Sequence, residues 1–243
     1  MTLRGVIRWG LRGLAGLLLL VLVTVVLLIM PPGWYRPPGP DHEPAVQLAE
    51  IAERRLAEEV HLIRESDEPW SLRIREDQVN AWLALRMPDW FSHHTDWKWP
   101  AGLGTPQVRF RTDRILLAVR IDTAYGRRTF VIHFAPEVDE QSRFRPRVSG
   151  LGIGRLGTAG VSGQRVHDLL QSFQPGIAER PEFLEWMEIL TGDRALDARF
   201  RLADRREITI ERIRLGPGTL DVRARTRPAA AAGGNAADDV ETP

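Results

Sequence analysis

The chain of 243 residues contains no cysteine. Disulfides, thiolate metal ligands, cysteine nucleophiles and lipid attachment through cysteine are therefore excluded. Lysine is almost as scarce, because Lys98 is the only one and arginine supplies the other basic residues. The 33 basic and 32 acidic residues nearly cancel, so the molecule as a whole has no electrostatic drive toward nucleic acid. A nucleic-acid partner is not expected.

Recognisable catalytic motifs are also missing. The sequence has no G-x-S-x-G, no H-E-x-x-H and no Walker sequence. The glycine-rich segment GLGIGRLG (residues 150–157) has no GK[ST] ending and no strand–turn–helix surroundings, so it does not predict a phosphate loop or a dinucleotide site. We expect no catalytic residues, no cofactor and no enzymatic activity.

The pair His93 and His94, followed by Asp96, is the nearest approach to a metal site. Adjacent histidines in a strand or loop point in different directions, and no third ligand follows at a suitable spacing. A bound metal is therefore not expected.

What the sequence does contain is a long uncharged apolar run from Gly13 to Met30. As a helix this run would span about 27 Å, close to the roughly 30 Å of a bilayer core. The pattern predicts a single N-terminal transmembrane helix, with residues 1–30 forming the cytoplasmic tip and the anchor. The alternative is a cleaved signal peptide, but its apolar region would be shorter and Leu-Ile-Met-Pro-Pro is a poor cleavage site.

The flanks of this run set its orientation. Arg4, Arg8 and Arg12 precede it and no basic cluster directly follows it, so the N-terminus is predicted to be cytoplasmic. The bulk of the chain would then lie outside the cytoplasmic (inner) membrane, as a single-pass protein of the cell envelope. Residues 31–43 predict an extended proline-rich spacer, with Trp34 and Tyr35 at headgroup depth.

Residues 44–227 are predicted to form one extracytoplasmic α+β domain, an antiparallel sheet with packed helices, and residues 228–243 a disordered tail. The first helix, from Pro44 to about Glu65, carries an apolar stripe that we expect to pack on the domain's own sheet; membrane or partner contact is the alternative. The stripe consists of Leu48, Ile51, Ala52, Leu56, Val60 and Ile63.

A strand at 70–75 runs into a second helix at 76–87, which Pro88 ends. Asn80 is a weak helix former inside it, and we expect its side chain either to act as a cap or to bond a neighbouring loop. The aromatic segment from Trp90 to Trp99 predicts a loop, either a lid on the core or a rim touching lipid or ligand. Period-two alternation then begins at Gln107 and predicts a meander, followed by two helices at 164–173 and 181–190 and a closing hairpin at 207–225.

Three segments carry a resemblance to known proteins: REDQVNAWLA (75–84), VSGLGIGRL (148–156) and ITIERIRLGPGTLDV (208–222). In this layout the chain resembles YpmS-like bacterial single-pass envelope proteins and is similar to the tubular lipid-binding (TULIP) superfamily. Asn80-Ala81 matches the Asn-Ala pair of that helix. The resemblance implies an elongated domain in which a curved antiparallel sheet wraps a long helix and forms a groove for a lipid tail.

The function expected from these observations is non-enzymatic binding of lipid or another apolar ligand by a membrane-anchored domain. The alternative is a scaffold or interaction subunit of an envelope complex, recruiting partners through an arginine-rich sheet face or the aromatic loop. The partners expected are therefore the bilayer and either an apolar ligand or an envelope protein. The predicted ligand-binding residues are the apolar positions of the meander: Val108, Phe110, Leu117, Val119, Phe130, Ile132 and Phe134.

Overall fold

The computed structural model describes residues 3–64, 67–94, 102–123, 126–159, 188–189 and 194–227, with the backbone alone for 3–13, 91, 94, 158 and 159. Several expectations fall outside this range. They concern the rings of Trp97 and Trp99, the predicted helix at 164–173 and the predicted tail at 228–243. Of the predicted helix at 181–190, only Glu188 and Ile189 are described.

The described helices are α1 (Leu3–Ile29), α2 (Glu43–His61), α3 (Glu76–Leu85) and α4 (Met87–His94). The start of α2 is as predicted, with Pro44 in its first turn, where a missing N–H costs nothing. Among the described residues, no helix is long and apolar enough to cross a membrane.

The segment from Asp89 to His94 is helical, so the prediction of a loop there is wrong. Pro88 does not end the helical region, because it is the second residue of α4, a position that tolerates proline. The chain continues from α3 almost without a break, and the Trp90 N–H donates to the Arg86 carbonyl at 2.9 Å.

Ten strands are described: β1 (Pro69–Arg75), β2 (Gln107–Phe110), β3 (Ile115–Thr123), β4 (Gly126–Val138), β5 (Arg143–Ile153), β6 (Leu156–Ala159), β7 (Leu196–Asp197), β8 (Arg199–Arg201), β9 (Glu207–Gly216) and β10 (Thr219–Arg227). Sheet 1 has the order β1-β10-β9-β8, and sheet 2 the order β2-β3-β4-β5-β6 with β7 paired to β5. Every pairing is antiparallel, which confirms the α+β class with antiparallel sheets.

The main core lies between sheet 2, α3 and the β9–β10 hairpin. Val108, Phe110 and Ile115 form its buried centre on β2 and β3. The residues that pack around this centre come from all three units: Val79, Leu83, Leu117, Phe134, Leu215 and Leu220. The apolar residues at every second position of the meander therefore pack into this core.

The outer edge of β2 is closed by side chains of α3 in place of another strand. The Val108 N–H donates to Asn80 Oδ1 at 2.7 Å, and Asn80 Nδ2 donates to the Val108 carbonyl at 2.9 Å. The Phe110 N–H donates to Glu76 Oε2 at 2.6 Å. The side chain of Asn80 thus bonds a distant part of the chain, but its partner is the edge strand β2 and not the loop that the sequence predicts.

The opposite face of sheet 2 is covered by the spacer. Tyr35 is only 7% exposed, packs with Ala118 and Val131, and donates its hydroxyl to the Thr105 carbonyl at 2.7 Å. The ring of Tyr35 is therefore packed against the sheet, where the small side chain of Ala118 leaves room for it. The headgroup depth of Trp34 and Tyr35 stays a prediction. Trp34 packs half-buried on the same cluster.

The apolar stripe of α2 packs differently from the prediction. Ala45 and Ala49 are buried against Ala81 of α3, so the helix contacts another helix first. Ile51 and Leu56 are about half exposed and Ile63 is 79% exposed. The expectation that the whole stripe packs on the sheet is wrong, because the alanines bring α2 close to α3 and leave the later positions outside.

Replacing Asn80 with alanine should destabilise the domain by about 2–4 kcal/mol, because two buried backbone groups of Val108 lose their partners. The measurement is chemical unfolding of the full chain in detergent, followed by tryptophan fluorescence. Gln47→Ala, at an exposed position of α2, is the control. A loss for Asn80→Ala no larger than that of the control would contradict the proposed closure of the β2 edge.

His133 makes stability depend on pH in a defined direction. Burial, assisted by nearby Arg114, lowers the pKa of its imidazole below the ordinary value. The unfolded chain therefore protonates this imidazole more readily than the folded chain does. Below about pH 6.5 this difference favours unfolding, and at pH 8, where the imidazole is neutral in both states, it does not. We expect the wild type to lose more stability than His133→Gln between pH 8 and pH 5, as measured by thermal unfolding of both proteins at the two pH values. Equal losses would refute the contribution of His133 to the pH dependence of stability.

Candidate functional site

An apolar groove lies between α2, β1 and α3. Its volume is about 250 Å³. It is lined by Ala52, Glu53, Arg55, Leu56, Leu72, Arg73, Ile74, Gln78, Val79 and Trp82. The groove is the candidate functional site, since apolar clefts with a few polar groups at their edges are the usual ligand sites of proteins.

The floor of the groove comes from β1 and α3. Leu72 is buried on β1, and Ile74 lies on the same side of that strand because side chains alternate. Val79 connects this floor to the main core, where it packs against Val108 and Phe110. Because Val79 belongs both to the groove floor and to the main core, the floor is held rigidly.

One wall is α2, which is fixed at both ends. Near its start, Ala45 and Ala49 hold it against α3. At its end, the Arg206 guanidinium donates to the carbonyls of His61 at 3.2 Å and Leu62 at 2.9 Å. Cations are favoured at a helix C-terminus, where carbonyls lack partners.

A second arginine strengthens the same helix end. Arg64 donates to the Glu59 carboxylate at 2.8 Å and to the Glu59 carbonyl at 2.9 Å. Its guanidinium carbon lies 4.2 Å from the centre of the Trp70 ring, within the range of a cation–π contact. Because β1 carries Trp70, this contact ties the end of α2 to sheet 1.

The rim of the groove is polar, and several of its polar groups have partners. Trp82 Nε1 donates to Glu53 Oε1 at 3.1 Å across the two helices. Arg73 donates to the two oxygens of Asp221 at 2.7 and 3.1 Å. The surface inside the groove is mainly apolar.

The seven predicted ligand-binding residues share one face of sheet 2, as the register requires. Val108 and Phe110 are buried in the core, with Leu117 and Phe134 packed against it. Phe130 is 2% exposed, while Val119 and Ile132 are half-buried. None of the seven lines the groove between α2 and α3.

The groove residues were visible in the sequence only as core candidates. Ala52 and Leu56 belong to the predicted stripe of α2, and Val79 and Trp82 are apolar residues three positions apart on α3. Their periodicity indicated which helix faces are apolar but not that these faces leave a gap between them. No further sequence signal marks the groove.

The histidine pair lies at the end of α4, where only the side chain of His93 is described. No group of three His, Asp or Glu side chains there could hold a metal ion. His93 Nδ1 lies 2.6 Å from the Asp89 carbonyl oxygen within α4. Asp96 lies outside the described residues.

Comparison of the chain with protein-family models, with curated proteins and with solved structures found no match. The resemblance to YpmS-like envelope proteins and to the TULIP superfamily therefore stays a prediction.

Arg206→Ala should release the end of α2 and cost about 1–3 kcal/mol, because the half-buried guanidinium bonds the two carbonyls at the end of the helix. Hydrogen exchange of the full chain should show faster exchange confined to the last turns of α2. Arg201→Ala, at an exposed position of β8, is the control. Unchanged exchange in Arg206→Ala would show that α2 does not depend on this contact.

Proposed function

We propose that this protein is a membrane-anchored, extracytoplasmic, non-enzymatic domain that binds a lipid acyl chain in the groove between α2 and α3. The observation that carries the proposal is the apolar groove of about 250 Å³, floored by Leu72 and Val79 and flanked by Trp82. This volume is below the usual range of sites for drug-sized ligands, which favours a thin linear chain over a ring system.

The proposed anchor is α1, with the N-terminus in the cytoplasm and the domain outside the inner membrane. Support comes from the uncharged run Gly13–Met30 and from the helical backbone of α1, which continues to Ile29. Large apolar side chains between Leu14 and Val26 are 41–63% exposed. Continuous apolar surface of this kind is unfavourable in water and favourable in a bilayer.

A second candidate function is that of an interaction subunit of an envelope complex. It is favoured by the end of α2, where Leu62 is 53% and Ile63 is 79% exposed. Exposed aliphatic residues beside the arginine-bound end of a helix form a suitable apolar centre with a polar rim for a protein partner. This candidate predicts that the surface of α2, and not the groove, carries the activity.

The test of the acyl-chain proposal makes the same substitution, alanine to phenylalanine, at two positions of α2. Ala52→Phe puts a ring into the groove, whereas Ala57→Phe puts the same ring on an exposed position of α2. The full chain is purified from membranes in mild detergent, and acyl lipid retained by native mass spectrometry is counted. We expect Ala52→Phe to retain about tenfold less than the wild type, a difference of about 1.4 kcal/mol in binding, and Ala57→Phe to match the wild type.

Equal retention by both variants and the wild type would overturn the acyl-chain proposal. Loss of a co-purified protein in Ile63→Ser, with lipid retention unchanged, would favour the interaction subunit. Thermal melts of all variants establish whether a loss reflects misfolding.

A further inference from the structure

A second cavity, of about 330 Å³, lies where α1 and the spacer meet sheet 2. Its lining comes from the spacer, β3, β4 and the β5–β6 hairpin: Pro32, Gly33, Trp34, Leu116, Val131, His133, Gly152, Gly154, Arg155, Leu156 and Gly157. We call it the junction cavity. It contains the glycine-rich segment for which the sequence indicated no role.

Gly157 leaves space for this cavity. Its partner across β5 and β6 is Gly152. A β-carbon at Gly157 would have only His133 Cε1 near it, at 3.9 Å, whereas a β-carbon at Gly152 would lie 3.0 Å from the Leu156 carbonyl oxygen. The open space therefore lies on the Gly157 side, next to His133 of β4.

The hairpin turn next to these glycines is fastened to the end of α1. The Arg155 N–H donates to the Leu27 carbonyl at 2.8 Å, and Arg155 Nε donates to the Pro31 carbonyl at 3.2 Å. Gly154 has a φ of +61°, and a β-carbon there would overlap the carbonyls of Leu27 and Leu28. The junction cavity is thus held within a residue or two of the apolar run.

Arg155 supplies the charge of the junction cavity. Its side chain is exposed and makes no ion pair with any acid in the described part of the chain. With one nitrogen bonded to Pro31, the outer guanidinium nitrogens are left to form the paired bonds that arginine makes with phosphate. Trp34, which also lines the cavity, is a residue type enriched at the bilayer interface.

We propose that the junction cavity binds the phosphate headgroup of an anionic phospholipid, with Arg155 as the donor to the phosphate oxygens. The inference rests on the membrane anchoring proposed above. It adds a second lipid contact, distinct from the proposed acyl-chain site in the groove between α2 and α3, which we call the acyl groove. On the anchoring proposed above, a cavity fixed to the end of α1 lies at headgroup depth, where lipid is concentrated and a single arginine is enough, so a lipid is favoured over free phosphate.

The experiment reconstitutes the full chain in nanodiscs of phosphatidylcholine with a minority of phosphatidylglycerol, releases it into mild detergent and counts retained lipids by native mass spectrometry. Arg155→Gln removes the charge, and Gly157→Leu fills the cavity at a position where a β-carbon has room. Arg212→Gln, at an exposed position of β9, is the charge-matched control. The first two variants should retain about tenfold less phosphatidylglycerol, as expected for loss of a charged hydrogen bond, and the control should match the wild type.

Equal retention of the two lipids by the wild type, or wild-type retention by both cavity variants, would overturn the headgroup site and leave the anchor and the acyl groove in place. Displacement of the lipid by excess inorganic phosphate would assign the cavity to free phosphate and overturn the lipid assignment. A chain that does not enter nanodiscs at all would refute the anchoring itself.

Discussion

The closure of the β2 edge by α3 is the contact on which the rest of the fold depends. An open sheet edge presents unpaired N–H and C=O groups, and burying them without partners is costly. Glu76 and Asn80 supply those partners to Phe110 and Val108. Gly218 joins the same network, because its N–H donates to the Phe110 carbonyl and its carbonyl accepts from the Glu76 N–H. The start of α3, the edge of sheet 2 and the turn of sheet 1 are thereby fixed together.

The groove between α2 and α3 follows from this junction. Once α3 is fixed, Ala81 provides the surface against which Ala45 and Ala49 pack. This contact sets the distance between α2 and α3. Arg206 fixes the other end of α2 to the turn before β9. The gap between these two attachments is the groove, so its width depends on small residues at one end and on a cation at the other.

The spacer has a similar structural role on the opposite face of sheet 2. Its prolines favour an extended path, and Tyr35 fixes that path by packing on the sheet and bonding Thr105. The end of α1 is bonded to Arg155 in turn. The domain is therefore attached closely to α1 and is not suspended on a free tether, which gives the junction cavity a defined position relative to the proposed membrane.

Local periodicity and local chemistry were enough to predict part of this fold. The features predicted in this way are the apolar run, the start of α2, the strand leading directly into α3, the antiparallel meander and the closing hairpin. Periodicity and local chemistry did not predict which residues lie opposite each apolar face. Folding placed Val108 and Phe110 in a packed core, buried Tyr35, and opened the groove between α2 and α3. The physical reason is that a period of two or 3.6 residues reports which side of an element is apolar, whereas contacts such as Asn80 with Val108 and Tyr35 with Thr105 join distant segments that only the folded chain brings together.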